Sequence, residues 1–241
     1  MTRPRSQQQQ PALGHPRVHL RRTDSTSDRA RALAIAGAPH GTLVTAAEQT
    51  AGRGRQGRRW SAPPGSALLI SLVLRSPPPL LPLIAALAVC DVAGEQAQIK
   101  WPNDIVLVRG ERLAKLAGIL AEGRPQEGWA VLGIGVNVAV RVEDLPPELH
   151  ETAATLERPA SELEPTLLEL LAALERRLAE PADAMLIAWR ARDALRGRAV
   201  QWSGGRGVAS GIDGAGRLIV ALEQGGQATL DAGEVHLDGV A

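Results

Sequence analysis

Ala51-Gly52-Arg53-Gly54-Arg55-Gln56-Gly57-Arg58-Arg59-Trp60 is the stretch around which the rest of the chain is organised. Glycine brings backbone N–H groups close to a ligand and takes φ > 0 without steric cost. Consecutive N–H groups in such a loop make a concave anion site. Each arginine adds a permanently charged planar fork that matches phosphate or carboxylate oxygens. With so much positive charge and so few packing side chains, the segment reads as an anion-binding loop that orders on its ligand.

Other readings of the same residues are weaker. Gly52-x-Gly54-x-x-Gly57 is formally a dinucleotide fingerprint, but that motif opens a helix and has a ribose-reading acid about 20 residues later. Here Arg58-Arg59-Trp60-Ser61-Ala62-Pro63-Pro64-Gly65 follows, which does not start a regular helix. No Gly-Lys-Ser/Thr occurs, which excludes a nucleotide-binding P-loop. An arginine–glycine contact to nucleic acid and a plain solvated turn stay open, although the interleaved glycines weigh against the turn.

At 241 residues the chain holds one sizeable domain plus a small one. Apolar residues make up 44% of it, yet its aromatics are five tryptophans with no Phe or Tyr, so Leu, Val, Ile and Ala must build the core. A net charge of +1 gives no global pull toward DNA or membranes, so any basic function is local. The single Cys90 excludes a disulfide framework and a cysteine metal cluster. No apolar leader and no run of membrane-spanning length occur, which predicts a cytoplasmic protein. Of 27 basic residues only Lys100 and Lys115 are lysines. A compact ammonium on a flexible stem differs from a guanidinium in reach, hydration and fit, so both are functional candidates.

Residues 1–17, with the Gln7–Gln10 run, predict a disordered tail. Thr23 to Asp28 supplies N-cap chemistry for a helix over Arg29 to Ala36. Strands are expected at Thr42 to Ala46, Ala67 to Leu74 and Trp129 to Val138, with an apolar helix over Leu80 to Ala93. Lys100, Asn103 and Asp104 surround Pro102 between two strands, and Lys115 starts another. Such a polar cluster between buried strands is costly unless paired or used. Ser161-x-x-Glu164 reads as a capping box opening a leucine-faced helix, and a second helix runs from about Asp183 to Leu195. From Gly197 onward short strands and glycine turns predict a small β module.

Taken in order, Ser25-Thr26, the Gly52–Trp60 loop, Lys100-Trp101-Pro102-Asn103-Asp104, Lys115-Leu116-Ala117-Gly118-Ile119-Leu120 and Gly133-x-Gly135-x-Asn137 resemble the biotin–protein ligases, also called biotin–[acetyl-CoA-carboxylase] ligases. The resemblance covers roughly residues 20 to 241 and looks like the monofunctional class without an amino-terminal DNA-binding domain. It implies an α+β fold, with a mixed β-sheet catalytic core and flanking helices of the class II synthetase kind over 18–195. A small SH3-like β-barrel over 196–241 follows. It also implies two half-reactions: biotin and Mg-ATP give biotinyl-5′-AMP, and a lysine of a biotin carboxyl carrier protein then takes the biotin. ATP, Mg²⁺ and biotin are the implied ligands. No DNA or membrane partner is implied, and the expected state is a monomer or a weak ligand-linked homodimer.

By the same matching, Lys115 bridges carboxylate and phosphate and shares catalysis with Arg53 and Arg55. Ser25, Thr26, Ser27 and Gln49 are matched to the biotin ring, Gly52, Arg53, Gly54 and Arg55 to a loop that closes over biotin and the adenylate phosphate, and Lys115 and Gly118 to the biotin beside them. Arg58, Trp60, Lys100, Asn103, Asp104 and Asn137 fall on the ATP side, Asp104 as the metal contact. The chain departs from the family at Ser27, where relatives often have Asn, and at Ala67 and Leu69, where they often show Asn and an aromatic. Two rivals remain. A lipoate or octanoyl ligase shares the fold and the acyl-to-lysine chemistry. A nucleic-acid-binding protein would use the same arginine loop.

Overall fold

The computed structural model describes residues 13–110, 112–231, 233 and 235–237. Its larger layer is a seven-stranded sheet in the order β1-β2-β3-β7-β6-β5-β4. The strands are β1 (Arg17–Leu20), β2 (Leu43–Ala46), β3 (Ala67–Arg75), β4 (Ala97–Lys100), β5 (Asp104–Arg109), β6 (Arg112–Arg124) and β7 (Trp129–Asn137). β1 and β2 are parallel, and every other neighbouring pair is antiparallel. β3 is apolar almost throughout and buried at every position but its last, as a strand covered on both faces must be.

Alternation along β3 assigns the two faces. Leu68, Ile70, Leu72 and Leu74 join the main core, which also takes in α2 (Leu81–Ala93), α3 (Leu163–Leu178) and α4 (Ala182–Ala191). On the opposite face Val73 packs with Ala30 and Ala34 of α1 (Thr26–Ile35), while Ala67 and Leu69 form a separate apolar patch with Trp60. α1 therefore covers only part of its face, and the rest is open to a ligand. Cys90 lies fully buried in α2, and burial pushes its thiol up to about 12.

The carboxy-terminal segment forms a five-stranded antiparallel sheet in the order β11-β10-β9-β8-β12. Its strands are β8 (Ala199–Trp202), β9 (Gly205–Ile212), β10 (Leu218–Ala221), β11 (Gln227–Leu230) and β12 (His236–Leu237). Trp101 joins the two sheets, its indole Nε1 donating to Gly216 O at 3.0 Å. Among the described residues no helix is long and apolar enough to cross a membrane.

Several expectations are corrected. Residues 1–12 of the expected tail lie outside the described residues. From Leu13 the chain is tied to the fold: Leu13 is buried, its N–H donates to Glu175 Oε1, and Arg17 begins β1. The Ser161–Glu164 capping box does not form. Ser161 sits in a 3-10 turn over Ala160–Glu162, α3 begins at Leu163 without a side-chain cap, and Glu164 accepts from Arg17 instead. The helix expected to reach Leu195 stops at Ala191, because the next residues bond to β4: Ile99 N donates to Arg192 O and Ala194 N to Ile99 O.

Candidate active site

The open part of the α1 face is a cleft of about 410 Å³. Its floor is made by glycines on neighbouring strands. Gly135 of β7 sits between Leu69 of β3 and Gly118 of β6, and Gly118 in turn faces Asp104 of β5. A Cβ on Gly135 would meet the Trp60 ring at 2.6 Å, and one on Gly133 would meet Ser27 Oγ at 2.7 Å. The missing side chains are what let Trp60 and the start of α1 approach the sheet so closely.

A β-bulge places the second lysine. Ile105 pairs with Ala117, but the next residue, Val106, pairs with Lys115, so Leu116 is the extra residue. Strict alternation would put Lys115 and Gly118 on opposite faces. With the bulge, Leu116 and Ala117 both turn into the core while Lys115 and Gly118 share the cleft face. Lys115 Nζ lies 2.7 Å from Asp104 Oδ1 and 5.8 Å from the centre of the Trp60 ring. Its backbone is fixed from the far side, where its N donates to Thr152 O and its O accepts from Ala154 N.

At the β3–β7 end the cleft is neutral and its protons are directed. Ser71 Oγ donates to Thr26 Oγ1 at 2.9 Å, and Thr26 Oγ1 donates to Gln49 Oε1 at 3.0 Å. Gln49 Oε1 also accepts from Thr26 N at 2.7 Å. Each hydroxyl has one proton, so Ser27, 3.1 Å from Ser71, must donate to it. Gln49 then keeps its NH₂ group for a ligand, and Ser27 keeps lone pairs. A paired donor and acceptor result.

At the β5–β4 end the cleft is cationic. Arg55, Arg58, Arg59, Lys100 and Lys115 line it, and Asp104 is the one carboxylate among the lining residues; the Arg53 guanidinium is turned to Asp28 and Glu122 instead. Arg55 Nη1 donates to Asn103 Oδ1 at 3.1 Å, and Asn103 Nδ2 holds Ile119 O. Burial pulls Lys100 below the ordinary lysine value; Asp104 opposes that shift, while Lys115 and Arg58 add to it. Burial likewise lowers Arg55, against the pull of Asp104. Trp60 Nε1 is buried and has no hydrogen-bond partner among the described residues, a donor suited to a ligand acceptor.

Of the sixteen candidates drawn from the sequence, all but Ser25 and Gly52 line this cleft. Ser25 instead caps α1, its side chain accepting from Asp28 N. Gly52 closes the base of the loop, its O accepting from Trp60 N, and a Cβ there would strike Trp60 O. Asp104 pairs with Lys115 rather than with Lys100. Asn137 is buried and donates to Ala154 O, which ties β7 to the cleft wall. Sequence reasoning missed Ser71, whose only signal is one hydroxyl within the otherwise apolar run of residues 67–74. It also missed the Leu145–Ala153 wall, which carries no motif.

Comparison with known proteins gives a consistent picture. A family model described as the Biotin/lipoate A/B protein ligase family matches residues 19–138. A bifunctional ligase/repressor of Bacillus subtilis is 43% identical over 150 residues, which are 57% of this chain and 45% of the relative. The chain thus spans less than half of that relative's length. A biotin–[acetyl-CoA-carboxylase] ligase of Mycobacterium tuberculosis is 37% identical over 245 residues, covering 89% of this chain and 86% of the relative. The biotin protein ligase from Aquifex aeolicus in complex with biotin and ATP has a TM-score of 0.76 and 26% identity, covering 92% of this chain and 97% of that one.

Proposed function

This chain belongs to the biotin/lipoate A/B protein ligase family, and from that premise we propose that it is an ATP-dependent biotin–protein ligase. The observation that carries the proposal is the position of Lys115. Asp104 holds its ammonium between the neutral donor–acceptor end of the cleft and the cationic end. The cyclic urea of biotin offers one C=O and two N–H groups, which match the Gln49 NH₂ and the Ser27 lone pairs. The triphosphate of ATP matches Arg55, Arg58, Lys100 and Asn103.

In the first step a biotin carboxylate oxygen attacks the α-phosphorus of ATP, and pyrophosphate leaves. Two anions must meet and a five-coordinate phosphorus must be stabilised, so preplaced positive charge is the main requirement. Lys115 follows the shared oxygen from carboxylate to mixed anhydride. In the second step the amine of a biotin carboxyl carrier lysine attacks the acyl carbon, AMP leaves, and the amide nitrogen loses its proton. The Gly52–Trp60 loop keeps water from the anhydride meanwhile.

Mg²⁺ would neutralise phosphate charge when bound. Its fit rests on Asp104, since such ions take one or two carboxylates together with substrate phosphates and water. Ser25 acts as a cap behind Thr26. We read the catalytic domain as running to residue 195 and taking in Leu13 and all of β1, ahead of the expected start at 18, and the five-stranded sheet within 196–241 as an SH3-like barrel, in a protein that works in the cytoplasm.

The test is pyrophosphate release on mixing the protein with Mg-ATP, with and without biotin, and with lipoate as control. Biotin-dependent release is expected. Release with lipoate alone would move the protein to the sister activity. No release with either acid from folded protein would overturn the reading.

A further inference from the structure

Arg53 is not aimed at an empty anion site. Its Nη1 donates to Asp28 Oδ1 at 2.8 Å and its Nη2 to Glu122 Oε1 at 2.8 Å. The same two carboxylates are also held by Arg31, whose Nη1 donates to Asp28 Oδ1 at 2.9 Å and Nη2 to Glu122 Oε2 at 2.6 Å. Two guanidinium forks thus share the same two acids, and the four formal charges cancel. Arg31 and Asp28 stand on α1 and Glu122 on β6, so three of the four members belong to the rigid frame. Only Arg53 belongs to the loop.

We propose that Arg31, Asp28 and Glu122 are positioning residues, a preassembled acidic dock that holds Arg53 and, through it, the Gly52–Trp60 loop over the cleft. Arg31 fixes both acids in place beforehand, so less side-chain freedom is lost when Arg53 arrives. The loop then has a defined closure at its first arginine. Beyond it the backbone returns on itself: Gly54 N donates to Arg58 O, and Trp60 N to Gly52 O. Holding Arg53 therefore also fixes where Arg55 and Trp60 meet the cleft. Arg53 acts as the clasp of the loop, and Arg55 supplies the charge that faces the ligand. The consequence for catalysis rests on the ligase reading above; the clasp itself does not.

The experiment compares the full chain with Glu122→Gln, Arg53→Gln and the double variant. Trypsin cutting after Arg55, Arg58 and Arg59 is followed by mass spectrometry without ligands. Circular dichroism and the thermal midpoint check the fold. Each single variant should be cut roughly tenfold faster at an unchanged midpoint, the scale of losing one member of a shared charge network. The double variant should be cut no faster than the singles, because the clasp is lost only once. Equal cutting of parent and variants, or additive effects in the double variant, would overturn the proposal. Should Glu122→Gln fail to fold, Asp28→Asn takes its place, with the same expected and overturning outcomes.

In a second arm, release of preformed biotinyl-adenylate should be faster in Glu122→Gln, and KM for biotin should rise more than kcat falls. Unchanged release alongside faster cutting would overturn the positioning role in catalysis. If the parent forms no adenylate, the ligase reading falls, while the cutting arm still decides the clasp.

Discussion

Lys115 and Lys100 are the only lysines in the chain, and the fold gives them different environments. Lys115 has a carboxylate within ion-pair distance and a side chain that is 37% exposed, so it can reach a ligand. Lys115→Ala should slow adenylate formation by about 10²–10³-fold, the usual effect of removing one preplaced donor from a developing charge. Its circular dichroism should not change. Lys115→Arg should rescue little, because a planar fork cannot follow one oxygen through the reaction as an ammonium does. Undiminished pyrophosphate release from either variant would contradict the role. For Lys100 the sign follows from its surroundings. Burial disfavours the charged amine, and Asp104 partly restores it. Asp104→Asn should therefore lower its pKa further, and bound ATP, an added negative charge, should raise it. With two lysines, ¹³C-methyl NMR of the reductively methylated protein gives two side-chain signals to titrate. A Lys100 signal indifferent to both changes would refute this electrostatic account.

At the scale of elements, the site depends on what strands leave out. Gly135 gives Trp60 its seat, and a methyl group there would stand 2.6 Å from the indole. Overpacking of this kind costs about 1–3 kcal/mol, and each 1.4 kcal/mol is about tenfold in affinity. Gly135→Ala should thus raise the KM for ATP by about tenfold or more and shift the tryptophan fluorescence, with the secondary structure intact. An unchanged KM would show that the indole seat does not matter to the nucleotide. How legible such features are depends on their range. The glycine-rich loop, the apolar β3 and the two lysines are visible in sequence because each follows from local backbone or charge chemistry. The bulge at Leu116 is not visible, since the alternation rule predicts the opposite face for Lys115 and only pairing with β5 corrects it. The capping box failed for the same reason. Glu164 has a distant partner in Arg17, and tertiary pairing overrode a local motif. The Arg31–Asp28–Glu122–Arg53 ring joins three separate segments, so no spacing announces it.

For the whole molecule, the question is whether the two sheets are separate units or one. Val200, Ala209, Ile212, Leu218 and Val220 of the small sheet belong to the same buried cluster as Leu83, Leu87 and Trp189 of the helical layer. The hairpin turn of β9 and β10 presses into that layer, and a side chain on Gly216 would meet Leu83 at 2.6 Å. That same turn accepts the Trp101 indole N–H, within the Lys100–Asp104 segment of the cleft. A continuous core predicts one cooperative transition rather than two. Leu218, fully buried, makes the test specific. Leu218→Ala should cost about 2–5 kcal/mol and lower the midpoint of the entire molecule, with far-UV circular dichroism and tryptophan emission moving together. If the small sheet melted alone, most of the helical signal would survive the first transition, and the two probes would separate. Coincident curves would mean that a substitution far from the cleft, in the small sheet, loosens the hairpin bearing Lys100 and Asp104. Separate curves would confine its effects to the carboxy-terminal sheet.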